Sequence, residues 1–218
     1  MKRLLLTGLI VGLLCGGTAQ AGTITYNFAG TLYWSNLAGA PQGSSFSGTL
    51  VYDPAPGTLL WSGSNFSNFQ SDAAIITAII GGVTYQSLLP ALESASTGVG
   101  TGGGGGFIPA GDYDIVEIAG SFTPTADLPY DPAIMFMFAT PDLNFLGSGT
   151  PPMPGTLNGF PYIELSLVGY SSPGYADFHG VAGQVTSFGP AVPVPEPTSL
   201  LLLATGLIGL RAVRKRRA

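Results

Sequence analysis

Few side chains in this sequence have the chemistry of a nucleophile, a base or a metal ligand. Between Gly22 and Pro197 there is one histidine, His179, and there is no lysine, arginine or cysteine. A Ser-His-Asp triad using His179 and Asp177 is formally possible, but the G-x-S-x-G turn and the βαβ units that carry such a serine are missing. One histidine also supplies too few donors for a zinc site. We therefore interpret His179, beside Gly180 on an expected strand, as a structural or edge residue.

Carboxylates are the other candidate groups, and they are densest in the segment DYDIVE at residues 112–117. On a strand, Asp112 and Asp114 project from the same face. Such a pair can hold Ca²⁺ together with backbone carbonyls, because a hard cation needs only oxygen ligands. No D-x-D-x-D-G loop accompanies the pair, so it is a weak calcium candidate, and a solvated strand end is the alternative. A glycosidase needs two converging carboxylates, and the sequence selects no such pair. We predict no cofactor.

Charge is distributed very unevenly along the chain. All twelve acidic residues lie between Asp53 and Glu196. All seven cations lie outside that segment, at Lys2, Arg3, Arg211, Arg214, Lys215, Arg216 and Arg217. A segment without cations cannot neutralise phosphates, which excludes nucleic-acid binding. Its negative charge favours solubility and opposes self-association.

The first 21 residues have the organisation of a secretory signal peptide. The letters MKR precede an apolar run at residues 4–14, and TAQA ends at Ala21, after which we predict cleavage. Leu14 precedes Cys15 where a lipidation signal has a small residue, which argues against lipidation. We therefore expect export through the Sec translocon and a processed chain that contains no cysteine.

Residues 22–192 have the pattern of short strands separated by turns. The segments TITYNFAGTLYW (23–34) and SFSGTLVYDP (45–54) alternate apolar with small or polar residues, and their shared F-x-G-T-L core predicts two paired strands. AIITAIIGGVTYQ (74–86) predicts a hairpin, because Gly81 and Gly82 can supply the positive φ angles of a tight turn. No segment shows a helical period. We predict an all-β fold, an antiparallel, jelly-roll-like β-sandwich of roughly nine to twelve strands.

The aromatic residues leave two interpretations open. Trp34, Trp61 and the tyrosines can stack on sugar rings, but aromatic residues at strand spacing are more often part of a core. Exposed, coplanar aromatics beside a groove would favour carbohydrate binding. Burial of the same residues would favour a structural role.

The segment VPEPTSLLLLATGLIGLRAVRKRR has three parts, which are a Pro-Glu-Pro motif, an apolar stretch and a basic cluster. The uncharged stretch at residues 198–210 has 13 residues, fewer than the twenty or so that span a bilayer comfortably. A hydrophobic helix here could form a marginal, tilted transmembrane span with the basic cluster in the cytoplasm. The same plan is also typical of a processed C-terminal signal that is removed from the mature protein.

Residues 193–217 resemble the PEP-CTERM sorting signal of Gram-negative bacteria in motif, spacing, apolar helix and basic cluster. The same kind of tail is also called an ice-binding protein C-terminal domain, although this chain lacks the regular threonine ranks of an ice-binding surface. The resemblance implies that Pro195, Glu196 and Pro197 are recognised by exosortase, a membrane cysteine transpeptidase. It implies that the chain is the substrate of that enzyme and not itself an enzyme. The basic stop then consists of Arg214, Lys215, Arg216 and Arg217.

Together these patterns predict three parts: a signal peptide (1–21), a β-sandwich body (22–192) and a sorting signal (193–217). We expect an exported protein that the tail holds in the inner membrane as an intermediate, before delivery to the cell surface or extracellular matrix. The resemblance implies an exopolysaccharide or biofilm setting, in which we predict a structural or adhesive role. The alternative is a carbohydrate-binding or polysaccharide-acting surface protein whose partner is an extracellular polysaccharide.

Overall fold

A computed structural model of the chain describes residues 22–55, 57–101, 108–147, 152–170, 172 and 177–191. Within these ranges the chain forms strands and no helix, and therefore no helix that is long and apolar enough to cross a membrane. The predicted signal peptide and the predicted C-terminal helix lie outside the described residues. The strands are β1 (Ile24–Ser35), β2 (Ser45–Tyr52), β3 (Thr58–Ser62), β4 (Phe66–Ser71), β5 (Ile75–Ile80), β6 (Val83–Gln86), β7 (Ala91–Thr101), β8 (Gly111–Ser121), β9 (Tyr130–Thr140), β10 (Tyr162–Tyr170) and β11 (Phe178–Pro190).

The eleven strands form a single antiparallel sheet in the order β3-β4-β7-β8-β9-β10-β11-β1-β2-β5-β6. The all-β class and the strand number are as predicted, whereas the two-sheet, jelly-roll-like sandwich is not confirmed. Instead the sheet curls on itself like half a barrel. Bulges help it to bend, since an extra residue increases local twist and curvature. Strand β1 has two such register shifts against β11, at Ala29/Gly30 and at Leu32/Trp34.

Aromatic contacts across the interior show how strongly the sheet is curled. Strands β1 and β9 are three steps apart in the sheet order, which is about 14 Å in a flat sheet. Even so, the rings of Phe28 on β1 and Phe136 on β9 meet edge to face, with centroids 4.8 Å apart. We call this enclosed surface the inner face and the opposite surface the outer face. The inner face carries the main hydrophobic core, including the fully buried Tyr26, Leu50 and Phe138.

The two F-x-G segments pair as the sequence predicts. In the antiparallel register of β1 and β2, Phe28 lies opposite Gly48 and Gly30 lies opposite Phe46. A Cβ atom on either glycine would overlap the phenyl ring of the opposite phenylalanine. Each glycine therefore makes room for a core ring on the neighbouring strand, which explains why the motif occurs twice.

The predicted hairpin at residues 74–86 is confirmed as β5 and β6. Its turn residues Gly81 and Gly82 have φ angles of 57° and 80°, the left-handed conformations that a tight type I′ turn requires. The segment after β9 covers part of the core. There the Tyr52 hydroxyl donates to the carbonyl of Pro154, and the Tyr26 hydroxyl accepts from the backbone N–H of Leu157.

Candidate functional site

Three adjacent strands, β10, β11 and β1, form an aromatic groove on the outer face. On β10, Ser166 and Val168 alternate with Leu165 and Leu167, whose side chains are fully buried on the inner face. The groove has a volume of about 280 Å³. Its lining residues are Tyr33, Trp34, Ser166, Val168, Phe178, Val181 and Ala182.

The bulge in β1 brings two consecutive aromatic residues to this groove. Leu32 pairs with Gly183 and Trp34 pairs with Ala182, so that Tyr33 is the extra residue. In a regular strand, consecutive side chains point to opposite faces. Because of the bulge, Tyr33 and Trp34 instead line the same groove.

The rings of Trp34 and Phe178 form an exposed aromatic pair beside the groove. Their centroids are 5.9 Å apart and their planes differ by 29°, which is a stacked arrangement. Trp34 is 38% exposed and Phe178 is 47% exposed. The ring of Tyr170 contacts Phe178 edge to face at 6.1 Å. The pair therefore exposes apolar ring surface to solvent, and tryptophan and tyrosine are enriched at interfaces.

A glutamate next to the groove orients two of its hydroxyl groups. The Tyr33 hydroxyl donates to Oε2 of Glu164 at 2.8 Å, and the Ser166 hydroxyl donates to Oε1 at 2.7 Å. Burial, the hydrogen bond to Glu164 and the charge of Glu164 all raise the pKa of Tyr33. The Tyr33 hydroxyl therefore keeps its proton and remains a donor to the carboxylate at physiological pH.

The second tryptophan predicted as a sugar-stacking residue lies elsewhere. Trp61 is on β3, at one edge of the sheet, whereas the groove is on strands near the middle. Its side chain is 62% exposed and contacts Phe66 edge to face at 4.8 Å. The fold therefore does not bring Trp34 and Trp61 together.

The weak calcium candidates have different environments at the start of β8. Asp112 is exposed, whereas Asp114 is fully buried. The two oxygens of Asp114 accept backbone N–H groups, Oδ1 from Gly98 at 3.3 Å and Oδ2 from Leu146 at 2.9 Å. Asp114 thus fixes the bulge of β7 at Gly98 and the segment after β9 at Leu146. In the described part of the chain, no group of three or more His, Cys, Asp or Glu residues is placed to hold a metal ion.

His179 and Asp177, considered above for a triad, lie at the start of β11 beside Phe178. Asp177 is exposed, and His179 is half-buried and pairs with Gly169 of β10. The strand position of His179 is as expected, and its structural role stays a prediction.

The sequence interpretation missed a buried carboxyl group on the inner face. Glu93 of β7 is fully buried, and within the described residues neither of its oxygens has a hydrogen-bond partner. Burial raises the pKa of Glu93 to about 7. The nearby Ser71 hydroxyl lowers this pKa in part, although it does not reach hydrogen-bonding geometry with Glu93. The negative charge of Asp53 raises the pKa further. The sequence does contain a signal for the burial of Glu93, which is the pattern Ala91-x-Glu93-x-Ala95. Alternate residues of a strand share a face, and both alanines are buried.

Comparisons with known proteins give information on the tail. Residues 193–217 match the family model of the PEP-CTERM protein-sorting motif. Comparison of the chain with curated proteins and with solved structures found no match. The predicted recognition residues Pro195, Glu196 and Pro197, the basic stop and the predicted cleavage site at Ala21 all lie outside the described residues. The chain therefore carries a PEP-CTERM protein-sorting motif, which implies that it is exported, sorted by exosortase and located at the cell surface or outside the cell.

Proposed function

We propose that this chain is a surface protein that binds extracellular carbohydrate through the outer-face groove, and that this binding gives it an adhesive role in an exopolysaccharide or biofilm matrix. The observation that carries the proposal is the stacked, exposed pair of Trp34 and Phe178 beside the groove. Exposed aromatics in this arrangement are the feature that favours carbohydrate binding over a purely structural role.

The composition of the groove supports a sugar ligand. Its walls combine aromatic and aliphatic surface from Trp34, Phe178 and Val168 with the hydroxyl groups of Tyr33 and Ser166. A pyranose ring has the matching character, since C–H groups on its faces contact aromatic rings and its hydroxyl groups form hydrogen bonds. The volume of about 280 Å³ lies at the lower end of ligand pockets. The groove therefore suits a short stretch of a polymer.

The proposed role is binding and not hydrolysis. A glycosidase uses one carboxyl group as a general acid and a second as base or nucleophile, on opposite sides of the bond. The carboxylate of Glu164 accepts hydroxyl hydrogen bonds on both of its oxygens, which suits it to orient groove groups rather than to transfer a proton.

The route to the surface is the second part of the proposal. The signal peptide directs the chain through the Sec translocon and is removed after Ala21. The tail then holds the protein in the inner membrane of a Gram-negative cell, with Arg214 to Arg217 on the cytoplasmic side, until exosortase acts at Pro195-Glu196-Pro197. The match of residues 193–217 to the sorting motif supports this order of events.

Affinity electrophoresis through gels that contain neutral polysaccharides tests the binding role. We expect the wild-type chain to be retarded, and Trp34→Ala and Phe178→Ala to weaken binding by about 3- to 10-fold, as loss of an aromatic contact predicts. Trp61→Ala is the matched control, because Trp61 is exposed but distant in the sheet order. If no polysaccharide retards the wild-type chain, carbohydrate binding is wrong and a structural role remains.

A further inference from the structure

The hydrogen-bond directions at the groove limit the chemistry of its ligand. A hydroxyl group has one proton to donate and two lone pairs that accept. Tyr33 and Ser166 both donate their proton to Glu164. Within the groove, these two hydroxyl groups therefore offer acceptor lone pairs and no donor. A ligand that hydrogen-bonds to them must bring its own donors.

The charge around the groove also disfavours ligands that bring only hydrogen-bond acceptors. The carboxylate of Glu164 accepts hydrogen bonds from the two lining hydroxyl groups, and the sequence has no lysine or arginine between residues 22 and 197. Anionic groups accept hydrogen bonds but do not donate them, and they are recognised by cations or by N–H donors. A uronate or sulfate group would meet lone pairs and a like charge here.

We propose that the groove selects neutral, hydroxyl-rich polysaccharides and rejects anionic ones, with Glu164 acting as the positioning residue that sets the direction of the Tyr33 and Ser166 hydrogen bonds. This inference rests on the proposed carbohydrate-binding function and specifies the ligand class of the same site. The sugar places a C–H face against Trp34 or Phe178 and donates hydroxyl protons to Tyr33 and Ser166.

Matched pairs of polymers test the selection directly. The purified full-length chain is run in affinity gels that contain laminarin, xyloglucan or galactomannan, and in gels that contain the carboxymethylated derivative of each polymer. We expect binding to at least one neutral polymer, and at least about tenfold weaker binding to its carboxymethylated form at low salt. Raising the salt concentration should reduce this difference, because part of it is electrostatic.

The variant Glu164→Gln separates hydrogen-bond direction from shape. An amide accepts through its oxygen but donates through its nitrogen, so one of the two hydroxyl groups must accept from the amide and turn its proton towards the groove. We expect the preference for the neutral over the carboxymethylated polymer to fall about three- to fivefold. Ser166→Ala removes one acceptor and keeps the carboxylate. It should weaken neutral binding and retain the rejection of the anionic polymer, and it provides the test if Glu164→Gln does not fold.

The outcomes distinguish this inference from the function on which it rests. If no neutral or carboxymethylated polymer binds, the carbohydrate-binding function itself is wrong. If both forms bind equally well and Trp34→Ala weakens both, the binding site is right and the selection by hydrogen-bond direction is wrong. Unchanged selectivity in Glu164→Gln would remove Glu164 from its positioning role.

Discussion

The buried carboxyl group of Glu93 makes the stability of the fold depend on pH in a direction opposite to that of most carboxylates. The pKa of Glu93 is raised from 4.5 to about 7 in the folded chain, chiefly by burial. The folded protein therefore favours the neutral form. As the pH rises from about 4.5 to about 7, the unfolded chain loses this proton before the folded chain does, so the free energy of unfolding decreases.

The magnitude follows from the two pKa values. A difference from 4.5 to about 7 corresponds to a total of about 3 kcal/mol, and about 2 kcal/mol of it falls between pH 5.5 and pH 8.5. This range avoids the sequence pI of about 4.5, where the protein would precipitate. The charge of Glu93 is also, after burial, the next cause of the raised pKa of Tyr52.

The substitution Glu93→Gln keeps the shape of the side chain and removes its charge. We expect the difference in unfolding free energy, variant minus wild type, to increase by about 2 kcal/mol from pH 5.5 to pH 8.5. Urea unfolding followed by tryptophan fluorescence at several pH values measures this difference. The control is Glu117→Gln on the outer face of β8, where the carboxylate accepts from Ser94. A difference for Glu93→Gln that stays constant over this pH range would refute the assignment of a neutral, buried Glu93.

Three further predictions concern the fold and the tail. Gly48→Ala should destabilise the protein by about 1–3 kcal/mol, because the added methyl group would overlap the Thr77 carbonyl and the Phe28 ring. Gly189→Ala is the control, since its methyl group enters open space, and urea unfolding of both variants measures the difference. Asp114→Asn should cost about 1–3 kcal/mol, since its amide nitrogen would face the backbone N–H of Gly98 or Leu146, and equal stability of the variant and the wild type would contradict the anchoring role. Glu196→Ala should leave full-length protein in the inner-membrane fraction, as immunoblots of fractionated cells would show, and normal release would rule out processing at this motif.

The local parts of the fold follow from the sequence, whereas its closure does not. The hairpin at Gly81-Gly82 and the pairing of the two F-x-G segments depend on residues that are near in sequence, and both are confirmed. One curled sheet or two packed sheets give the same alternation of buried and exposed residues along each strand. The choice depends on bulges such as the one at Leu32/Trp34 and on contacts such as that between Phe28 and Phe136. No local pattern encodes these features.

The sequence could single out one residue of the groove, but not the residues distant in sequence that it contacts. Trp34 could be named from the sequence as a possible sugar contact, but its partner Phe178 lies at the other end of the chain and meets it only because β11 pairs with β1. The groove also depends on the bulge in β1, which brings Trp34 to the outer face beside Tyr33. A strictly alternating strand would have left Tyr33 on the outer face and turned Trp34 towards the core, and the exposed pair with Phe178 would not form.

Glu93 and Glu164 show how sheet register decides the function of a carboxyl group. Both lie on long strands, close to a serine in the sequence. Glu164 is on the outer face, where two hydroxyl groups donate hydrogen bonds to it. Glu93 is on the inner face, where burial favours its neutral form. A shift of one residue in the pairing of a strand exchanges its two faces. Moving β10 in this way would bury Glu164 and remove the acceptor-lined groove, so the proposed selectivity for neutral sugars depends on the register of β10 between β9 and β11.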